Sequence, residues 1–232
     1  MIKQIFTDIA PRLTKSYYGG KILAAYRAYG AEYDFCRFYS CGEGTVHIYN
    51  SSMVIDGNID REDIPLLIGM TKPMSIEIQS GETPDIPDIY ERRHRTLFKL
   101  KKCGEAAASA DIKTNADKAV CYGILKESFE NMGSFEEWYV DISHRIRHGV
   151  SELFLYESTT ATKQFEAENF AFFSHIATAE KARGKGAARR LLYILADKYE
   201  AAYLFALDSR RSYYEEIGFE PVYEDILYEM KG

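Results

Sequence analysis

At 232 residues and 46% hydrophobic content, the chain is long enough for one large domain or two small ones and can bury a substantial core. A net charge of -6 excludes the global basic field that would draw nucleic acid or an anionic membrane, and no run of about 18 apolar residues occurs to span a bilayer. Cys36, Cys41, Cys103 and Cys121 lack both the C-x-x-C spacing of a zinc site and the framework of a disulfide scaffold, so they read as reduced thiols.

The first residues, MIKQIFTDIAPRL, lack the apolar core of a signal peptide, and the expected location is cytoplasmic. Ser16 to Tyr29 places Ile22, Leu23, Tyr26 and Tyr29 at helical spacing, with Gly19 and Gly20 weakening the start. Tyr33 to Tyr39, Thr45 to Asn50 and Ser52 to Asp56 are short and rich in β-branched or aromatic residues. They are separated by Gly42-Glu43-Gly44 and Asn50-Ser51, which predicts an antiparallel meander. A helix over Ile59 to Met70 and a strand over Ser75 to Gln79 follow. Gly81 to Asp88, with Pro84 and Pro87 among acids, marks a boundary between two lobes.

The second lobe opens on a strand at Thr96 to Leu100. Apolar residues three and four apart then predict helices over Lys118 to Phe129 and Phe135 to His148. The pattern shortens to period two over Leu153 to Glu157, Thr162 to Asn169 and Ala171 to Thr178, a set of strands. Helix Gly186 to Tyr199, strand Tyr203 to Asp208, helix Arg210 to Glu216 and an extended stretch from Phe219 to Met230 complete the order. No internal sequence repeat is visible.

The stretch from Phe172 to Ala188 carries the most chemical information. An apolar strand there feeds a glycine-interrupted turn that opens an amphipathic helix, and such a turn offers unpartnered N–H groups and the positive end of the helix dipole to a phosphate. A Walker P-loop fails, because Lys185 is followed by Gly186 and not by Ser or Thr. A Rossmann fingerprint fits better, with Gly184-Lys185-Gly186 and a later Asp208, but Arg189 stands where the third glycine belongs.

Read as Arg-x-x-Gly-x-Ala, Arg183-Gly184-Lys185-Gly186-Ala187-Ala188 resembles the acetyl-CoA-binding motif of the GNAT N-acetyltransferase superfamily. Further on, Ser212-Tyr213-Tyr214-Glu215-Glu216-Ile217-Gly218-Phe219 is similar to that superfamily's aromatic-Tyr-Glu-x-x-Gly-Phe segment. The resemblance covers about residues 95 to 232. It implies an α+β fold, a mixed, mostly antiparallel twisted sheet flanked by helices, as a catalytic domain over 95–232. Residues 1–94 form a smaller N-terminal α/β lobe, whose element order fits a degenerate half of the same fold.

The resemblance also implies roles. Ile176 and Thr178 bond the pantetheine arm through the main chain, Arg183, Gly184, Lys185, Gly186, Ala187 and Ala188 cradle the pyrophosphate, and Tyr214 protonates the departing CoA thiolate. Leu207 replaces the Asn that many members carry seven residues before this Tyr, so the start of the last helix is altered, with Asp208 or Ser209 able to cap it. Acyl transfer requires a neutral amine, and Glu166, Glu168 and His175 are the local bases; Glu168 is taken as the catalytic one. Each also reads as an exposed strand position or a packed histidine. His144 and His148 lie four apart without a third ligand, so no metal site is expected.

The expected function is therefore transfer of an acetyl group from acetyl-CoA, as cosubstrate, to a primary amine of a small molecule or peptide. Neither nucleic acid nor membrane is expected as a partner, and a homodimer is left open. A non-catalytic acyl-CoA-binding module and a Rossmann-type nucleotide binder are the alternatives.

Overall fold

The computed structural model describes residues 1–78, 85–101, 111–167 and 170–232. The chain folds as two compact units: Met1–Leu97 with Ala206–Ser209 and Tyr223–Gly232, and Phe98–Phe205 with Arg210–Val222. Neither unit is continuous in sequence.

The first unit begins with strand β1 (Ile2–Ile5) and helix α1 (Tyr17–Tyr29). Ser16 caps α1 by accepting the Gly19 amide at 3.1 Å. Gly19 is required where it stands, since a Cβ there would lie 2.1 Å from the Thr14 carbonyl oxygen. Strands β2 (Cys36–Cys41), β3 (Gly44–Tyr49) and β4 (Ser52–Asp56) form the antiparallel meander, which β1 extends. The start of β2 at Cys36 rather than Tyr33 reflects a turn in which the Cys36 amide bonds the Tyr33 carbonyl.

Helix α2 (Asp63–Thr71) crosses from β4 to β5 (Ser75–Ile78), which lies parallel to β4. Ile64, Leu67 and Ile68 of α2 pack on Val46, Ile48, Met53, Ile55 and Ile76, one face of the sheet. The other face meets α1, where Tyr26 is edge-on to Phe38 and the Tyr17 hydroxyl bonds Glu77. Covering on both faces explains why β3 and β4 are buried almost throughout instead of alternating.

The second unit holds β7 (Lys113–Thr114), helices α3 (Lys118–Ser128) and α4 (Phe135–Arg147), and the antiparallel set β8 (Glu152–Tyr156), β9 (Thr159–Ala167) and β10 (Phe170–Thr178). Ser134 and Glu137 form a capping box that starts α4. Helix α5 (Ala187–Lys198) crosses to β11 (Ala201–Leu207), parallel to β10, and α6 (Arg211–Glu216) follows. Ile124 and Leu125 of α3 pack with Ala177 on one face of this sheet. On the other, Tyr199 beyond α5 meets Phe154 and Phe173.

Three strands contribute to both units: β6 (Tyr90–Lys101), which begins well before the predicted Thr96, β12 (Glu220–Met230), and β11, whose Ala206 and Leu207 belong to the first unit. The last strand of the chain therefore pairs antiparallel with β5 of the first unit, Ile226 opposite Ile78 and Glu229 opposite Ser75. Strands β1 and β7 have no sequence signal of their own; both are short and mostly exposed. Cys36, Cys41 and Cys121 are buried and form no disulfide among the described residues, whereas Cys103 lies outside them. Among the described residues no helix is long and apolar enough to cross a membrane, and no group of three or more His, Cys, Asp or Glu is placed to hold a metal.

Candidate active site

The candidate site sits in the second unit, where β10 ends, a turn follows and α5 begins. Among the described residues, strands β10 and β11 pair at two positions, Ala171 with Ala202 and Phe172 with Tyr203, and not beyond Phe172. Just beyond, β10 also shifts register against β9 between Phe172 and Phe173 and again between Ser174 and Ala177. His175 and Ile176 fall in the second shift, a bulge in which His175 takes φ +50°, the left-handed region that a side chain makes costly. Strain of this kind collects at functional sites.

Thr178 returns to register opposite Thr159, and their hydroxyls are 2.9 Å apart. The Thr178 carbonyl accepts from Arg183 Nε at 3.1 Å, while Arg183 Nη2 reaches the Ser128 hydroxyl at 3.2 Å. The Arg183 guanidinium therefore ties the turn to the end of β10 and of α3, and its own amide closes on the Glu180 carbonyl. A second tie joins the Glu180 amide to the Glu127 carboxylate.

Past Arg183 the bonding stops. The N–H groups of Gly184, Lys185, Gly186, Ala187, Ala188 and Arg189 have no hydrogen-bond partner among the described residues, and the α5 N-cap, Gly186, offers no side-chain cap. Gly184 and Gly186 take φ +77° and +75°. Six successive amides at the positive end of a three-turn helix make an anion cradle by geometry alone. Leu191, Leu192, Leu195 and Ala196 bury one stripe of α5 and so fix where its start points. Arg190 braces the turn, donating to the Lys185 carbonyl at 2.9 Å and to Glu157 and Tyr156 at 3.3 Å. Lys185 is exposed.

Tyr214 is half-buried on α6, packed against Phe98, Tyr213 and Phe219 at ring separations of 5.8, 5.2 and 5.4 Å. Burial, reinforced by Tyr213, pushes its phenol up to about 12, against a lowering effect of Arg210. Its hydroxyl has no hydrogen-bond partner among the described residues. Neither Asp208 nor Ser209 caps α6; its N-cap is Arg210, without a side-chain bond.

Of the three base candidates, Glu168 lies outside the described residues. Glu166 is exposed, paired with Lys163 at 3.2 Å, and stands opposite Ala171. That is seven residues from Thr178, roughly 23 Å along a strand, at the other end of β10 from the turn. His175 is half-buried at the bulge. Its Nδ1 lies 3.2 Å from the Ser174 hydroxyl and 3.4 Å from the Gln164 amide nitrogen, and its ring stands edge-on to Phe129 at 6.0 Å. Gln164 of β9 and Ser128 at the end of α3 were not anticipated from sequence, because strand and helix meet His175 and Arg183 only in the folded chain. His144 and His148 stack at 4.3 Å on the last turn of α4.

No family model matches the chain, and no curated protein matches it by sequence. Solved structures do. A GCN5-related N-acetyltransferase from Sphaerobacter thermophilus aligns over 100% of this chain and 96% of its own, with a TM-score of 0.60 at 13% identity. One from Kribbella flavida covers 98% and 97%, at TM-score 0.60 and 12% identity. A tandem GNAT protein from the clavulanic acid biosynthesis pathway covers 100% and 99%, at TM-score 0.56 and 9% identity. The chain thus has the fold of GNAT acetyltransferases, and the likeness runs over its whole length rather than over 95–232 alone.

Proposed function

We propose that the chain moves an acetyl group from acetyl-CoA directly to a primary amine. One observation carries this reading: β10 leaves β11 after Phe172 and runs into six unpartnered amides. A gap in the sheet suits an extended pantetheine arm, and the amides at its end suit a diphosphate. The Rossmann alternative gains nothing, since the other neighbour of β10 is antiparallel and the fingerprint needs a parallel sheet around its first strand.

In the transfer the amine nitrogen attacks the thioester carbonyl carbon, the carbon–sulfur bond breaks, the amine loses a proton and the CoA thiolate gains one. Tyr214 supplies that proton in this reading. A phenol near 12 is a weaker acid than a thiol near 8.5, so the hydrogen bond to sulfur must form before the bond breaks. Tyr214→Phe is expected to lower kcat about 100-fold or more and leave KM for acetyl-CoA within about twofold. Equal loss of kcat and acetyl-CoA affinity would make Tyr214 a packing residue instead. Glu168→Gln tests the proposed base: a lower kcat that no longer falls on the acid side of the pH profile keeps the carboxylate, and an unchanged profile removes it.

Release of free CoA thiol in the presence of a panel of amines tests the reaction itself. Binding without release under any amine would leave a non-catalytic acyl-CoA module.

A further inference from the structure

The first unit repeats the strand–helix–strand of the candidate site. Strand β4, helix α2 and the parallel strand β5 follow a meander, as β10, α5 and β11 do. Four details differ, and all four act against a cofactor. In the second unit β10 has no pair with β11 beyond Phe172 among the described residues, whereas β4 pairs with β5 from Ser52 with Ser75 through Ile55 with Ile78. Strand β4 also pairs with β3 without interruption, from Tyr49 with Ser52 to Thr45 with Asp56, so it carries no bulge to free its backbone.

The end of β4 is occupied. The Asp56 carboxylate, 2% exposed with its residue, accepts from the Thr14 amide at 2.7 Å, the Ser16 hydroxyl at 2.8 Å and the Thr14 hydroxyl. Next, the charge of the turn is reversed. Between Gly57 and the first turn of α2 stand Asp60, Glu62 and Asp63 against Arg61, where the second unit has Lys181, Arg183 and Lys185 against Glu180. Carboxylates at a helix start stabilise the helix and repel phosphate.

We propose that the first unit is a closed copy of the cofactor site, so that one chain takes up one acetyl-CoA, at the second unit. This rests on the acetyl-CoA reading above, and titration calorimetry of the full chain separates the two. One molecule of acetyl-CoA per chain is expected. Two per chain would overturn the closed copy and leave the reading intact; none would remove both. Hydrogen exchange on the same unmutated protein locates the site without relying on any variant to fold. Acetyl-CoA should slow exchange in the peptides spanning β10, the turn after it and the start of α5, with no change from β4 through α2. Protection of β4 and α2 would overturn the proposal, as would one-to-one binding that persists in a folded Gly186→Glu protein.

Discussion

Gly186→Glu is expected to weaken acetyl-CoA binding by about 100-fold or more, measured by calorimetry on protein whose circular dichroism is unchanged. Three effects act together. The glutamate must hold φ +75°, which costs roughly 1–2 kcal/mol in an L residue. Its Cβ starts 3.5 Å from Arg190 Nη1, the guanidinium that braces the Lys185 carbonyl. Its carboxylate then stands among the amides left free from Gly184 to Arg189, as a negative charge where a diphosphate would lie. At about 4 Å and an effective dielectric near 20, one such repulsion is worth about 4 kcal/mol. Gly184→Ala separates these effects, since a Cβ at Gly184 meets nothing within 4 Å and only the backbone strain remains. A Gly186→Glu protein with native affinity would remove the cradle.

The second large effect is expected far from that turn. Arg95, on β6, donates from Nε and Nη2 to Asp225 at 2.9 and 2.6 Å and from Nη2 to Glu77 at 3.0 Å. All three residues are less than 9% exposed, and Lys21 and the Tyr17 hydroxyl complete the partners of Glu77. Burial alone would raise the Glu77 carboxyl, but the Lys21 ammonium and the Arg95 guanidinium outweigh it and hold it at about 2. Arg95→Met strands Asp225 as a buried charge and should cost about 3–5 kcal/mol in urea unfolding of the first unit. Replacing both ends, Arg95→Met with Asp225→Leu, should recover much of that loss, because two apolar side chains leave no charge unpaired. A single-variant loss under about 1 kcal/mol would show the network to be ornamental. The depressed pKa of Glu77 sets a pH signature as well: its contribution is present above the ordinary glutamate range and lost as pH falls towards about 2.

This network also accounts for the placement of the last strand. Nothing in Phe219 to Met230 announces that it pairs with β5, yet Asp225 can be buried only where Arg95 meets it. Pairing of that strand with β5 closes the first unit from the far end of the sequence. Pro84 and Pro87 predict a boundary near position 85 from sequence, and residues 223–232 belong to the first unit as well.

Sequence alone determined what acts over a few residues. Helical spacing located α1, α3, α4 and α5 to within a residue or two at each end, and the glycine spacing announced a turn whose two glycines do take positive φ. Periodicity and backbone sterics are carried by near neighbours, so they can be read from near neighbours. The tertiary structure decided the rest: which strand lies beside which, the parting of β10 from β11, the bulge at His175, and the ties that commit the Arg183 guanidinium to Thr178 and Ser128. Those outcomes depend on which buried surfaces and charges find partners across the sheet, and an apolar strand reads the same whichever neighbour it finds.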